Sequence, residues 1–312
     1  MIGLDMGGTN IRCGAVSRRG EILLLRRAPA LATSAAQVVT ENIAKQVRIV
    51  ESMAQSRSWG RAAAVGIAVP GPINLKTGVV LATPHIPAWR NYPLRRRLES
   101  LLQRPIKIEN DANAWALGEL WLGAARGFKH VVLLTLGTGV GGGVIVDGNI
   151  VHGRAGMAGE LGHVTVDPEG PPCECGSRGC LEAFASASGL RQMVLGRPGL
   201  ATKSGRAFID RNGDFSVRKL AAAAKLGNQR AIAVLKLAGK HLGIAIATLS
   251  NIFDPELFVV GGGVTGALPL MKAAMETEVR FRSIIVDAGF TPIVRASLGD
   301  NAGVIGAARA AM

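Results

Sequence analysis

Apolar positions gather in short runs at the start of the chain, and the same arrangement returns near its middle. Ile2-Gly-Leu-Asp-Met6 and Ile11 to Val16 read as two strands around a glycine turn, with a third over 21–26. Val38, Ile43, Val47, Val50 and Ala54 recur near helical spacing and predict a helix over 34–55. The run 63–69 predicts a buried strand ended by Pro70-Gly71-Pro72. Another short strand, 106–109, leads into Asn110-Asp111 and a helix over 114–125. The opening then repeats, as a strand over 131–136, a turn at Gly137-Thr138-Gly139 and a second strand over 142–146. Placing Gly8-Thr9 on Gly137-Thr138 brings Gly20 and Gly148 within one position of each other. Two hairpins of one design predict two similar lobes facing a shared ligand. The remainder is mostly helical, with Ser216 and Asn228 as N-caps of helices over 217–226 and from 229 to Asn251. A strand over 257–260 ends in Gly261-Gly262-Gly263, and a helix follows through Met271 to Arg280. A strand over 293–296 and a small-residue helix over 301–311 close the chain.

The chain has 312 residues, 48% of them hydrophobic, which is more than one ordinary core holds and points to two lobes. The longest apolar-looking stretch, 131–146, is broken by glycines and falls short of the roughly 18–20 residues of a membrane span. No export signal is visible, so a soluble cytoplasmic α/β protein is expected, with no membrane partner. Lys plus Arg is 36 against 22 Asp plus Glu, a net charge of +14. The basic residues are scattered, and the densest run, Arg95 to Arg97, reads as a solvated helix face. Aromatics are 4%, too few for a base-stacking platform, so nucleic acid is not an expected partner.

Five segments carry candidate chemistry. In Asp5-Met-Gly-Gly-Thr-Asn-Ile-Arg12, glycines let backbone N–H groups approach an anion, and Asp5 sits where a carboxylate could hold hydrated Mg²⁺. A tight structural turn would need the same glycines. Gly137 to Gly143 holds five glycines in seven positions. Each costs a strand roughly 0.5–1 kcal/mol relative to Ala, which suggests close backbone approach to a ligand. Asn110-Asp111 suits a general base beside a substrate-binding amide, and equally an Asx cap opening a helix. Cys173, Cys175 and Cys180 follow His163 at Cys-x-Cys-x₄-Cys spacing, a closed Cys₃His set of the structural zinc type; redox thiols are the competing reading. Zinc there would fix Glu160 and Glu182 relative to each other. Gly261 to Gly263 would suit contact with a flat group such as adenine, or a plain strand-to-helix turn. Cys13 reads as core, and His85, His130, His152 and His241 have no role assigned.

The chain resembles the ROK family of repressors, open reading frames and sugar kinases, most closely its bacterial glucokinases. The resemblance covers essentially the whole length. It is carried by 5–12, Val69-Pro-Gly-Pro72, Glu109-Asn-Asp-Ala-Asn113, 136–163, 173–182 and 261–264. It implies the actin-like, ribonuclease H-like fold, with two α/β lobes around a cleft and the last helix returning to the first lobe. Domains are expected at 1–112 plus about 297–312, and at 113–296 with a zinc loop over 163–180. The resemblance further implies ATP with Mg²⁺ at Asp5, Gly7, Gly8, Thr9, Asn10 and Arg12, at Gly137, Thr138 and Gly139, and at Gly261, Gly262 and Gly263. Asp111 becomes the base, and Gly71, Asn110, Asp111, Glu160, His163 and Glu182 contact a hexose. Structural Zn²⁺ is implied on His163, Cys173, Cys175 and Cys180, and a homodimer as the assembly. Asn10 departs from the lysine many relatives carry, so no lysine–phosphate contact is expected there. Glucose phosphorylation at the 6-hydroxyl is the expected activity; another hexose or N-acetylhexosamine is the alternative, and polyphosphate a conceivable donor. A sugar-responsive repressor is disfavoured, because the first hairpin starts at residue 2 and leaves no room for a helix-turn-helix ahead of it.

Overall fold

The computed structural model describes residues 1–83, 86–196, 207–210, 213–285 and 289–312; His85 lies outside them. The chain opens with β1 (Ile2–Met6), β2 (Asn10–Val16) and β3 (Ile22–Pro29), then α1 (Ala36–Gln55) and β4 (Val65–Val69). Three short strands follow, β5 (Ile73–Asn74), β6 (Val79–Ala82) and β7 (Arg90–Tyr92), and then α2 (Leu94–Leu102), β8 (Lys107–Asn110) and α3 (Asp111–Leu122). The second half runs β9 (Val131–Leu136), β10 (Val140–Val146), β11 (Asn149–Ile150), α4 (Glu182–Ala185), α5 (Ala187–Leu195), α6 (Val217–Lys225) and α7 (Gln229–Phe253). It ends with β12 (Leu257–Gly261), α8 (Leu268–Arg282), β13 (Ile293–Arg295) and α9 (Ala302–Ala310). The short strands β5 to β7 form a separate small sheet that the apolar pattern did not foretell.

The first large sheet has the order β3-β2-β1-β4-β8, and the second has β11-β10-β9-β12-β13. In the first, β1 pairs antiparallel with β2 and parallel with β4, which pairs parallel with β8. In the second, β12 pairs parallel with both β9 and β13. The repeated glycine hairpins therefore belong to a repeated strand order, as the actin-like expectation requires. β1 and β4 are buried throughout, the pattern of parallel strands covered on both faces. Val39, Ile43, Val47 and Val50 of α1 join their core cluster, which also takes in Cys13.

Two compact units result, one of Met1–Lys129, Gly143–Gly159 and Ala296–Met312, the other of His130–Gly142 and Glu160–Arg295. The expected boundary at 112 therefore moves, and α3 and 143–159 join the first unit. Close helix packing is the reason. α9 is buried along most of its length, and a Cβ at Gly306 would fall 1.6 Å from the Ala114 carbonyl oxygen of α3. Sequence spacing cannot show a contact between helices so far apart in the chain. In the second unit α7 is long and apolar enough to cross a membrane, but 61% of its apolar window is buried, which marks a core helix.

Glu119, fully buried near the end of α3, fastens the returning C-terminal segment. Its Oε2 accepts from the N–H of Ala124 (2.8 Å) and of Ser297 (3.1 Å), and its Oε1 from the N–H of Leu298 (2.9 Å). Glu119→Ala would leave these donors without an acceptor and should cost about 3 kcal/mol or more. Glu119→Gln, which keeps an acceptor oxygen, should lose less. Urea unfolding midpoints of the three chains check the order.

Candidate functional site

The strands β1, β4 and β8 run parallel, so they end at one edge of the first sheet. Ligands in open α/β sheets gather beyond such carboxyl ends. Asp5, Gly7, Gly8 and Thr9 lie there at the end of β1, Gly71 beyond β4, and Asn110 and Asp111 where β8 meets α3. The Gly7 N–H donates to the Asn10 carbonyl (2.9 Å) and closes the first turn. Asp5 is buried; that burial, reinforced by the Asp111 carboxylate, pushes its pKa up to about 7 against the opposing pull of Arg12. Arg12 stands 3.9 Å from Asp5 and 2.6 Å from Asp300, and so bridges two carboxylates of its own unit.

Capping falls to Asn110 rather than Asp111. The Asn110 side-chain oxygen accepts from the N–H of Ala112 (2.9 Å) and of Asn113 (3.1 Å), while its amide nitrogen donates to the Gly71 carbonyl (3.3 Å). The adjacent Asp111 is the first residue of α3 and accepts from the Ala112 N–H at 2.9 Å. A carboxylate in the first helical turn is favoured by the helix dipole.

Glu109, immediately before them, is buried and accepts from the Asn110 N–H (3.0 Å), the Asn113 amide (3.1 Å) and His152 Nε2 (2.8 Å). Nothing in the spacing of Glu109 and His152 links them. The one signal available was a charged residue closing an apolar strand.

The second unit repeats the edge. β9 and β12 are parallel, with Gly261 opposite Thr135, so Gly137 to Gly139 and Gly261 to Gly263 leave the same side. Gly262 has φ +90°, and a Cβ there would fall 2.4 Å from the Leu136 carbonyl oxygen, so only glycine lets the two turns come this close. The Gly137 N–H donates to the Gly139 carbonyl (2.9 Å), and the Ala187 N–H, at the start of α5, donates to the Gly137 carbonyl (2.9 Å). Past the triple glycine a 3₁₀ turn, Gly263–Ala267, comes before α8 rather than a helix at once.

Glu160 precedes a 3₁₀ turn, Leu161–His163, whose last N–H donates to the Glu160 carbonyl (3.0 Å). The His163 and cysteine ligand atoms all lie within 4.8 Å of one another. Cys173 Sγ is 3.7 Å from His163 Nδ1, and Cys175 Sγ is 3.7 Å from Cys180 Sγ. Zn–S bonds of about 2.3 Å and Zn–N bonds of about 2.1 Å give tetrahedral edges of roughly 3.6–3.8 Å, so these donors fit zinc in both chemistry and spacing. Burial pushes the Cys173 thiol up to about 12, the state a bound dication reverses by holding the thiolate. Glu182 is 3.9 Å from Cys173 and accepts from the Val140 N–H (2.8 Å), which ties the cysteine loop to the β9–β10 turn. His241 backs the loop, stacked on Phe184 with ring centroids 3.6 Å apart and 3.8 Å from Asp167.

Known proteins are similar to this chain along its whole length. The model of the ROK family matches residues 1–312. A glucokinase of Halalkalibacterium halodurans is 37% identical, over 98% of this chain and 92% of that protein. A solved ROK hexokinase from Thermus thermophilus has a TM-score of 0.81 at 34% identity, covering 100% of this chain and 97% of that one. A ROK family glucokinase from Streptomyces griseus, in complex with glucose and AMPPNP, has a TM-score of 0.79 at 34% identity, covering 100% and 98%.

Proposed function

The chain belongs to the ROK family, and from that premise we propose that it transfers the terminal phosphate of ATP to the 6-hydroxyl of a hexose, glucose first. The observation that carries the reading is the edge of the first sheet, where Asp5, Gly71, Asn110 and Asp111 meet at the ends of three parallel strands. Similarity to glucokinases over nearly the whole chain supports glucose as the acceptor.

Phosphoryl transfer asks for in-line placement and charge neutralisation more than for a strong base. Asp111 accepts the hydroxyl proton as that oxygen bonds phosphorus. A carboxylate, far less basic than an alkoxide, does this late, when the hydroxyl has become acidic. Asn110 and Gly71, already joined by a hydrogen bond, hold the sugar beside it. Glu160, His163 and Glu182 take further hydroxyls; His163, whose Nδ1 lies 3.7 Å from Cys173 Sγ, would hold zinc through Nδ1 and offer Nε2 to the sugar. The amides of Gly7 and Gly137 close their own turns, so the phosphates are left to Gly8, Thr9 and Thr138, with Gly261 to Gly263 beside the adenine. Asp5 fits Mg²⁺: a buried carboxyl pushed up by a second carboxylate is relieved by a dication, which would supply charge neutralisation for the phosphates. The reaction belongs to the cytoplasm, where ATP and free hexose meet.

A coupled assay over glucose, mannose, fructose, N-acetylglucosamine and N-acetylmannosamine, with ATP and polyphosphate as donors, tests the proposal. We expect the highest kcat/KM for glucose with ATP. A clear preference for an N-acetylated sugar would reassign the acceptor, and no turnover with any hexose would end the reading.

A further inference from the structure

We propose that His152 and Glu109 are positioning residues for the reaction: the histidine holds a buried carboxylate, and that carboxylate sets the first turn of α3 and with it Asp111. The inference rests on the reading of Asp111 as the base. The Glu109 side chain is only 2% exposed. A carboxylate taken so far from water is costly unless its oxygens meet donors. Two of its donors bracket Asp111 in sequence, the Asn110 N–H on one side and the Asn113 amide on the other, both on Oε1. Asn113 is itself buried, and its side-chain oxygen has no partner among the described residues, so this amide is oriented through its nitrogen. The other carboxylate oxygen, Oε2, takes His152 Nε2 at 2.8 Å.

His152 comes from outside the β8–α3 segment, just past β11, with its side chain 36% exposed. Its carbonyl accepts from the Ala158 N–H (3.1 Å), and the loop turns at Gly153 (φ +69°) and Gly156 (φ +85°). The backbone thus seats the residue without help from the imidazole. Removing the ring should leave the loop standing and leave Oε2 of Glu109 buried without a donor. The carboxylate would then rotate, releasing its hold on the residues either side of Asp111. A misplacement of about 1 Å in a reacting group can cost on the order of 10²-fold in rate.

The test is steady-state kinetics of the full chain with glucose and ATP, together with thermal unfolding, for the wild type, His152→Ala, His152→Gln and Asp111→Asn. His152→Ala should lower kcat per folded molecule by about 10–100-fold, with both KM values within about threefold and a Tm lower by about 5–10 °C, the cost of a buried carboxylate oxygen left without its donor. His152→Gln, whose amide nitrogen reaches the place of Nε2, should recover most of the rate. A role in stability alone would move Tm and leave kcat per folded molecule unchanged. Wild-type kcat in His152→Ala, or equal losses in the alanine and glutamine variants, overturns the proposal while Asp111→Asn remains inactive. Should Asp111→Asn turn over normally, the base reading fails and this proposal falls with it. If the alanine variant does not fold, Glu109→Gln decides: kcat should fall with KM held, and an unchanged kcat overturns the proposal.

Discussion

Asp111→Asn should lose turnover by about 10²–10⁴-fold, the range a positioned acid–base group contributes, and keep its fold and its affinity for a non-hydrolysable ATP analogue. The substitution is nearly isosteric. The cap of α3 is supplied by Asn110, so the helix start does not depend on the charge at 111 beyond a dipole contribution of about 1 kcal/mol or less. It also removes the like charge beside Asp5, which relieves that buried carboxyl and lowers its pKa from about 7 toward the ordinary range. A rate loss with unchanged circular dichroism and unchanged analogue affinity by calorimetry is the expected result. Wild-type-like turnover would end the assignment of the base.

Loss of the metal should have the second large effect. One zinc per chain is expected by elemental analysis, and Cys175→Ser or strong chelation should remove it. Cys175 is the best probe because its side chain is exposed, so serine there disturbs no apolar packing. Structural zinc contributes about 10–16 kcal/mol of apparent binding free energy in small domains. Even a fraction of that should lower Tm by about 10 °C or more in a chain of this size. Sugar affinity should fall with it, since His163 and the Glu182 beside Cys173 are seated by the cluster. Nucleotide affinity should change less, because the turn at Gly137 is also backed by α5 through Ala187. A zinc-free chain that binds glucose normally would show the cluster to be irrelevant to the sugar.

What could be read from the amino acids alone follows from how local each feature is. The turns at Gly7, Gly137 and Gly262 were legible because backbone approach demands glycine in a short stretch. The Cys₃His set was legible because its cysteines lie within eight positions. The duplicated strand order followed from the two hairpins. The boundary at 112 was misplaced because the contact of α3 with α9 rests on small residues nearly two hundred positions apart. Asn110 and Asp111 were interchangeable as caps on local grounds, and only the hydrogen bonds separate their tasks. The pairing of Glu109 with His152 spans 43 positions and left no periodic trace. Strands as short as Ile73–Asn74 fall below what alternation can signal.

Because Glu119 grips Ser297 and Leu298, and α9 inserts its small residues beside Gly3 and Gly66, the first sheet obtains its last layer from a helix about three hundred positions after β1. During synthesis that sheet must therefore wait, one face uncovered, until α9 has left the ribosome. The second unit, whose segments all precede α9, can mature first. Truncation ahead of α9 would thus damage the unit whose strands are made earliest.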